Sequence, residues 1–449
     1  MRRHLIIGRM GDKDKVAVPK APDEVTSNLA LAAGKVLKHG IGQALSDLKD
    51  MGLAPSEIGA DLLVVAAHVH AADTRISRAS ESQDGWTREI RLVVPVSDPG
   101  RWQQATPVLK RALEFLTGDK WELGFRARPK GFEALIKRAR LPVVPFDGIS
   151  LFSGGLDSLI GAIDALKAGG VPLLVSHAGE GAVSKSQEVC FDGLRTAFPK
   201  TQFDRLRVWM SFKGDLLGTA GKEDSTRGRS FLFFSLGVAA GTALARPFTL
   251  KVPENGLIAL NVPLDPLRLG ALSTRTTHPF YMARWNELLK VLGIDGQVDN
   301  PYWDKTKGEM VAACADKAFL KKLAPLSLSC SSPSKGRWQP GGSPQGHCGY
   351  CLPCLIRRAS LRGTDSTAYG IADLKAQPLD TGQAEGRQVR SFQLAIDRLA
   401  KRPDLAAALI HKPGPLYDDP ARQPALAGVY LRGMQEVGRL LAGVRTTAL

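Results

Sequence analysis

The sequence predicts an α/β fold built on a doubly wound parallel sheet, and three observations carry that prediction. Residues 149–168 run as a short apolar strand, a glycine-rich loop and an apolar-periodic helix, ending at Gly169-Gly170. Strands and helices then alternate through residue 210, which implies parallel strands with crossover helices. The 449 residues are 44% apolar and 23% charged, the balance of a soluble globular chain with room for two or three domains.

The boundaries fall at 1–145, an N-terminal α/β region suited to docking a partner; 146–365, a nucleotide-binding region with a metal site; and 366–449, a helical extension. In the first region, Leu5–Gly8 reads as a strand. Ser27–Leu37 reads as a helix capped by Ser27, and Ile41–Met51 as another. Leu62–Val69, apolar and β-branched, reads as a buried strand, and Arg88–Val96 as a further strand. Gln104–Leu116 and Phe132–Ala139 read as helices. On a strand, His68 and His70 would face the same side. Half-buried histidines explain them better than a metal pair, because no other ligand cluster lies near in sequence.

The second region is organised around Ser153-Gly154-Gly155-Leu156-Asp157-Ser158. Two glycines let the backbone turn and present N–H groups to an anion, and the following helix aims its positive end at the same place. Ser153 and Ser158 add hydroxyls, and Asp157 is a candidate ligand for a phosphate-bridging Mg²⁺. The stretch lacks the Gly-Lys-Ser/Thr of a Walker loop. Val171–His177 is the next strand, and Ser184–Ala197 and Arg205–Met210 follow as helix and strand. Ligands of such sheets bind beyond the carboxyl ends of the strands, which makes His177 an adenosine-side candidate.

Arg227 and Arg229 stand at the start of an apolar helix, where cations oppose the helix dipole and call for an anion to offset them. Glu254, next to an Asn-Gly turn, and Asn261 are candidates for gripping a base edge. Arg275, in the donor-rich stretch Ser273–Pro279, is a candidate fork for a substrate carboxylate. Lys305 and Lys307 open a further helix, with the charge to neutralise phosphate.

Cys330 is followed by seventeen residues and then by Cys348-Gly349-Tyr350-Cys351-Leu352-Pro353-Cys354. Four thiolates, three of them at CxxCxxC spacing, suit a tetrahedral Zn²⁺; an iron–sulfur cluster is the alternative that the spacing allows. Arg357 and Arg358 are placed to screen the anionic centre. Cys190 and Cys314 read as lone buried thiols. The Ser/Gly/Pro-rich run 331–347 reads as a loop near the site, with a lid as one use for it. Val389–Leu399, Leu405–Ile410 and Leu426–Leu441 read as helices of the extension.

The net charge of +16 calls for an acidic partner, without choosing among nucleotide, nucleic acid and an acidic protein surface. Lys110–Arg140 carries nine basic residues against four acidic. No apolar run is long enough to span a membrane, the longest being Phe231–Ala245, and nothing reads as a signal peptide. A cytoplasmic protein is expected, in which clustered cysteines mean metal rather than disulfides.

The loop Ser153–Ser158 resembles the PP-loop of ATP pyrophosphatases. Combined with Cys330…Cys348-x-x-Cys351-x-x-Cys354-x-x-Arg357-Arg358, the chain looks like the QueC family, the 7-cyano-7-deazaguanine synthases. Gly228-Arg229-Ser230 with its apolar helix, Pro301–Val311 with Lys307, and Ser329-Cys330 extend the resemblance over about residues 148–365. It implies a PP-loop, HUP-like sheet, ATP with Mg²⁺, a structural Zn²⁺, and adenylation of the carboxylate of a deazaguanine-type small molecule. Under it, Ser153, Gly154, Gly155, Leu156, Asp157 and Ser158 hold pyrophosphate. Arg227, Arg229 and His177 border the nucleotide, and Lys307, Asp157 and Arg229 act in catalysis. Cys330, Cys348, Cys351 and Cys354 hold the metal.

The chain departs from the family pattern. Ser230 replaces an Asn, the family's Gly-Tyr-Pro-Asp-Cys-Arg segment gives way to Thr274–Phe280, and long regions flank the core. In these respects it looks more like the QueC-like proteins of bacterial anti-phage systems (the QatC type), which implies a partner protein whose N-terminal amine accepts the acyl group. Ammonia as acceptor, a PP-loop tRNA-modifying activity and a nucleotide-sensing scaffold are the rival readings. Nucleic acid is the less favoured partner.

Overall fold

The computed structural model describes residues 3–448 except 83–84, 138–143, 180, 219–222, 224, 226, 266–274, 332 and 334–345. Ser273 and Thr274, Arg138–Arg140 and most of the loop after Cys330 lie outside the described residues.

The first region holds β1 (Arg3–Met10), β2 (Glu24–Ala33), β3 (Val36–Leu37), α1 (Ile41–Asp50), α2 (Glu57–Arg75), α3 (Arg78–Glu81), β4 (Glu89–Val96), α4 (Pro99–Thr117) and β5 (Lys120–Ala127). Its sheet has the order β3-β2-β1-β4-β5, parallel except for the β2/β3 pair. The second region runs β6 (Gly148–Leu151), α5 (Leu156–Lys167), β7 (Pro172–His177), α6 (Gly181–Ala197), β8 (Asp204–Val208), α7 (Arg229–Thr242), β9 (Phe248–Lys251), α8 (Gly256–Leu260), α9 (Pro279–Val291) and β10 (Gly296–Asp299). Its five strands are all parallel, in the order β10-β9-β6-β7-β8. The chain leaves the central β6 toward β7 and β8 on one side and returns to β9 and β10 on the other. A crevice therefore opens at the carboxyl end of β6. The remainder is α10 (Lys307–Ala313), α11 (Lys317–Leu323), α12 (Leu352–Ser360), β11 (Leu379–Asp380), α13 (Ala384–Lys401), α14 (Leu405–Leu409), α15 (Gln423–Leu441) and β12 (Thr446–Thr447).

One apolar core joins the two sheets: it takes Ile6 and Leu92 from the first and Leu151, Leu173 and Leu250 from the second. Between them α2 packs on α7. Every residue of α2 from Gly59 to Thr74 is buried, and Ser56 caps it by accepting from the Gly59 N–H. Gly237 and Gly241 bring α7 down onto β9; a Cβ on Gly241 would stand 2.2 Å from the Phe248 ring. A second core gathers α8, α12, α13, α14 and α15 through Leu257, Leu355, Phe392, Leu409 and Tyr430.

Three local expectations are corrected. Leu62–Val69 is the middle of α2, not a strand; a helix buried on all sides has no polar face and so no period of 3.6. Ser27–Leu37 is strand, not helix: Leu29 and Leu31 alternate with more exposed neighbours while β2 pairs in parallel with β1. Phe132 to Lys137 forms no helix. In consequence His68 and His70, two apart on a helix, face different ways. His68 lodges under Gly8 and Pro95, whereas His70 meets His177.

Candidate functional site

The glycine-rich loop sits at the carboxyl end of β6. Gly154 has φ +78°, and a Cβ there would stand 2.9 Å from the Gln187 nitrogen, so both the left-handed backbone and the close approach of α6 require glycine. Gly155 is the N-cap of α5 and has no side chain to cap it; the Leu156 N–H of the first turn lies 3.5 Å from Ser329 Oγ. Ser153 Oγ accepts from the Gly155 N–H at 3.2 Å and lies 3.1 Å from Ser158 Oγ. The Gly154 carbonyl accepts from Ser186 Oγ at 2.9 Å and from the Leu328 N–H at 2.8 Å.

Asp157, in the first turn of α5, is the centre of a buried network. Lys307 Nζ donates to its Oδ1 at 2.5 Å, and Asn255 Nδ2 donates to its Oδ2 at 2.7 Å. Asp157 and Lys307 are 8% and 5% exposed, so this pair is shielded from water. Both carboxylate oxygens are thus taken. Asp157 therefore orients Lys307. Asn255 also caps α8 by accepting from the Ile258 N–H at 3.1 Å, so the Asn-Gly turn is a helix start. Beside it, Glu254 accepts from Thr277 Oγ1, and its backbone is held by Asn300. Burial pushes the Glu254 carboxyl up to about 7, assisted by the Asp157 charge and opposed by Thr277 and Lys307.

Lys307 is set by α10 and α15 together. Thr306 and Glu309 form a capping box at the start of α10. Glu436 of α15 accepts from Thr306 Oγ1 and from the Gly308 N–H, and Arg432 pairs with Glu309 at 2.6 Å. The helical extension therefore clamps the turn that carries Lys307.

His177 ends β7, with Nε2 3.4 Å from the Met210 carbonyl and its ring edge-on to His70 at 5.6 Å. Burial lowers His177 to about 4 and His70 to about 3, with the Arg229 charge adding to both. His177 and Arg229 thus share one cluster, to which α2 contributes His70. The other candidates stand elsewhere. Arg227 lies over Trp86 and donates to the Thr117 carbonyl at 3.1 Å. Arg275 lies over Phe115 and donates to its carbonyl at 2.8 Å. Asn261 is the left-handed C-cap of α8. Of the three residues expected to meet substrate, Glu254 alone stands in the network around Asp157.

The four cysteines converge. Their sulfurs lie within 4.8 Å of one another, with Cys330–Cys351 and Cys348–Cys354 each at 3.9 Å. Tetrahedral Zn–S bonds of about 2.3 Å require sulfurs roughly 3.8 Å apart, so the set fits zinc. Contact among the four thiols pulls Cys351 and Cys330 down and pushes Cys348 and Cys354 up. The centre is fastened to the glycine-rich loop by the segment before Cys330. Leu328 bonds Gly154, the Leu156 N–H lies 3.5 Å from Ser329 Oγ, and the Ser329 N–H donates to His347 Nε2 at 3.0 Å. Arg357, fully buried, forks to Ser327 Oγ, Ser329 Oγ, Thr367 Oγ1 and the Ala324 carbonyl. Arg358 donates to the carbonyls of Gly349, Ile371 and Ala372. Arg357 thus ties three hydroxyls and one carbonyl beside the centre, and Arg358 ties backbone carbonyls. Cys190 and Cys314 are buried singly, with burial pushing each up to about 11.

Sequence reasoning gives no individual role to Asn255, Thr277 or His347, names Ser329 only beside Cys330, and reads His70 as an ordinary half-buried histidine. Only Asn255 carried a signal, the N-cap preference of asparagine. No protein-family model and no curated protein matches the chain, so its chemistry is read from these contacts.

Proposed function

We propose that the protein is an ATP-dependent carbon–nitrogen ligase that adenylates the carboxylate of 7-carboxy-7-deazaguanine and passes the acyl group to an amine. Following the likeness to QueC-like defence proteins, the amine is the N-terminus of a partner protein in the cytoplasm. The observation that carries the reading is the Ser153–Ser158 loop at the sheet's switch point, with Lys307 held over its first helical turn by Asp157.

In this reading a carboxylate oxygen attacks the α-phosphorus of ATP, the bond to the bridging oxygen breaks, and pyrophosphate leaves. The start of α5 and Lys307 stabilise the charge on that leaving group. The amine then attacks the acyl carbon, loses a proton, and AMP departs with the electron pair of the acyl–oxygen bond. Positioning carries this second step. His177 and Arg229 border the nucleotide, and Glu254 meets the base. The zinc supplies structure: it holds the 327–330 segment against the loop.

The test is pyrophosphate release from ATP by the purified protein, with and without the deazaguanine acid, ammonium and a neighbouring-gene protein. Release that depends on the acid, followed by an added mass on the partner, is the expected result. A nitrile made with ammonium alone assigns ordinary synthase chemistry instead. ATP binding without turnover would point to a sensing scaffold, and indifference to the acid defeats the deazaguanine assignment.

A further inference from the structure

A groove of about 530 Å³ runs between the β3–α1 corner and residues 135–137, far in sequence from the loop. Lys35, Lys38, Lys49 and Lys137 line it, and no acidic residue does. Among the described residues, the lysines in ion pairs are Lys110, Lys120, Lys167, Lys307 and Lys401, none of these four. The start of α1 opens on the same groove: Gly40 is its N-cap, no side chain caps it, and Gly42 and Gln43 line the wall. Backbone N–H groups at a helix start and four unpaired ammonium groups make a site for several negative charges.

Apolar surface adjoins the charge. Trp209 is 56% exposed and Val36 71% exposed, on a chain that buries Trp102, Trp121 and Trp285 fully. Trp209 is a neighbour of the groove through its backbone: a Cβ on Gly40, which lines the groove, would stand 2.2 Å from the Trp209 carbonyl oxygen. The groove also approaches the carboxyl edge of the second sheet through a chain of tilted and edge-on rings, His39–Phe212 at 4.7 Å, Phe212–His70 at 5.8 Å and His70–His177 at 5.6 Å.

We infer that this groove binds a single-stranded nucleic acid, its phosphates along the lysines and the α1 start, and a base on Trp209. A small anion would need convergent donors, whereas these charges are spread around an open groove. A strand with a charge at every residue and a flat ring on each base matches both the spread lysines and the exposed indole. The inference does not depend on the ligase reading.

The experiment is fluorescence anisotropy of labelled 20-mers of deoxythymidine and uridine with the full-length protein, from 50 to 300 mM salt. Binding should weaken with salt, with a log–log slope of about −0.7 for each phosphate engaged. The double variant K35E/K38E should bind at least tenfold more weakly and lose about 1.4 from the slope's magnitude, on the order of 0.7 per lysine. W209A should bind about tenfold more weakly, from lost stacking. K401E, on the exposed face of α13, should bind as the parent does. The side chains at Lys35, Lys38 and Trp209 are exposed, and circular dichroism of each variant verifies folding. Absence of binding at 50 mM salt overturns the inference. So does a loss in K401E equal to that in K35E/K38E, which would be bulk charge alone. Polyglutamate bound as tightly as the 20-mers, and equally sensitive to all the variants, would make the groove a dock for acidic protein instead.

Discussion

Lys307 and Asp157 show how one contact sets the character of the site. An ammonium and a carboxylate, both nearly free of water, are tolerable only as a pair, and Asn255 completes the hydrogen bonding of the acid. Lys307→Met leaves Asp157 buried without its cation, so it should lower stability by about 3 kcal/mol or more. Adding Asp157→Leu to that variant removes the stranded charge and should restore much of the loss. Urea unfolding of the single and double variants checks this. A single variant as stable as the parent would mean that water reaches the pair. Pyrophosphate release should fall in both, because neither retains the cation beside the loop.

At the scale of elements, the glycine-rich loop is held from behind by a segment that is neither helix nor strand. Residues 327–329 form no helix or strand; they are fixed by Gly154, His347 and Arg357, and Cys330 ends them. Metal at the four cysteines should therefore be felt at the loop. Stripping it with a chelator should speed hydrogen exchange at the Leu328 amide, whose partner is the Gly154 carbonyl, and leave the amides of β1 unchanged. Equal exchange with and without chelator would separate the two sites. The clamp of α15 on α10 follows the same logic. Glu436 satisfies Thr306 Oγ1 and the Gly308 N–H, so an extension without loop residues of its own still settles where Lys307 stands.

For the whole molecule, the shared core makes the first two regions one folding unit. Buried faces of α7, with Phe231, Phe234 and Val238, belong to the same cluster as α2 and β4. Removing residues 1–145 would bare that surface, so the remainder should be insoluble or bind a hydrophobic dye; a soluble, cooperatively melting fragment would show that the sheets fold apart. The same core holds neutral histidines. Burial lowers His68 and His177 to about 4 and His70 and His278 to about 3. A depressed histidine prefers to be neutral in the fold, so its full contribution to stability is present above the unfolded value of about 6.5. As pH falls below that value the unfolded chain takes up protons that the fold refuses, and stability drops until the folded values near 3–4 are reached. Each such histidine should cost about 2 kcal/mol at pH 5 relative to pH 7.5. The urea midpoint should fall steeply over that interval, and a flat midpoint would mean that the rings are hydrated.

By itself the sequence determined the chemistry-bearing motifs. Ser153–Ser158 requires glycine at a left-handed position and places another at a helix N-cap, and the CxxCxxC spacing brings three thiols to one turn; both are local geometry, and both appear as read. Most helices with one polar face, such as α1, α13 and α15, were legible for the same reason. The rest was decided by tertiary structure. A helix buried between two sheets loses its period, so α2 reads as a strand and His70 seems remote from His177. Asn255, Thr277, Ser329 and Arg357 acquire roles only through partners distant in sequence, such as Arg357 with Ser327, 30 positions away, and Asn255 with Asp157, 98 away. The arginines at 227 and 275 carry the charge that an anion site needs, and the fold lays them over Trp86 and Phe115, contacts that the sequence does not announce. Sequence specifies what a side chain is able to bind; the long-range packing of the two sheets settles which of those partners it meets.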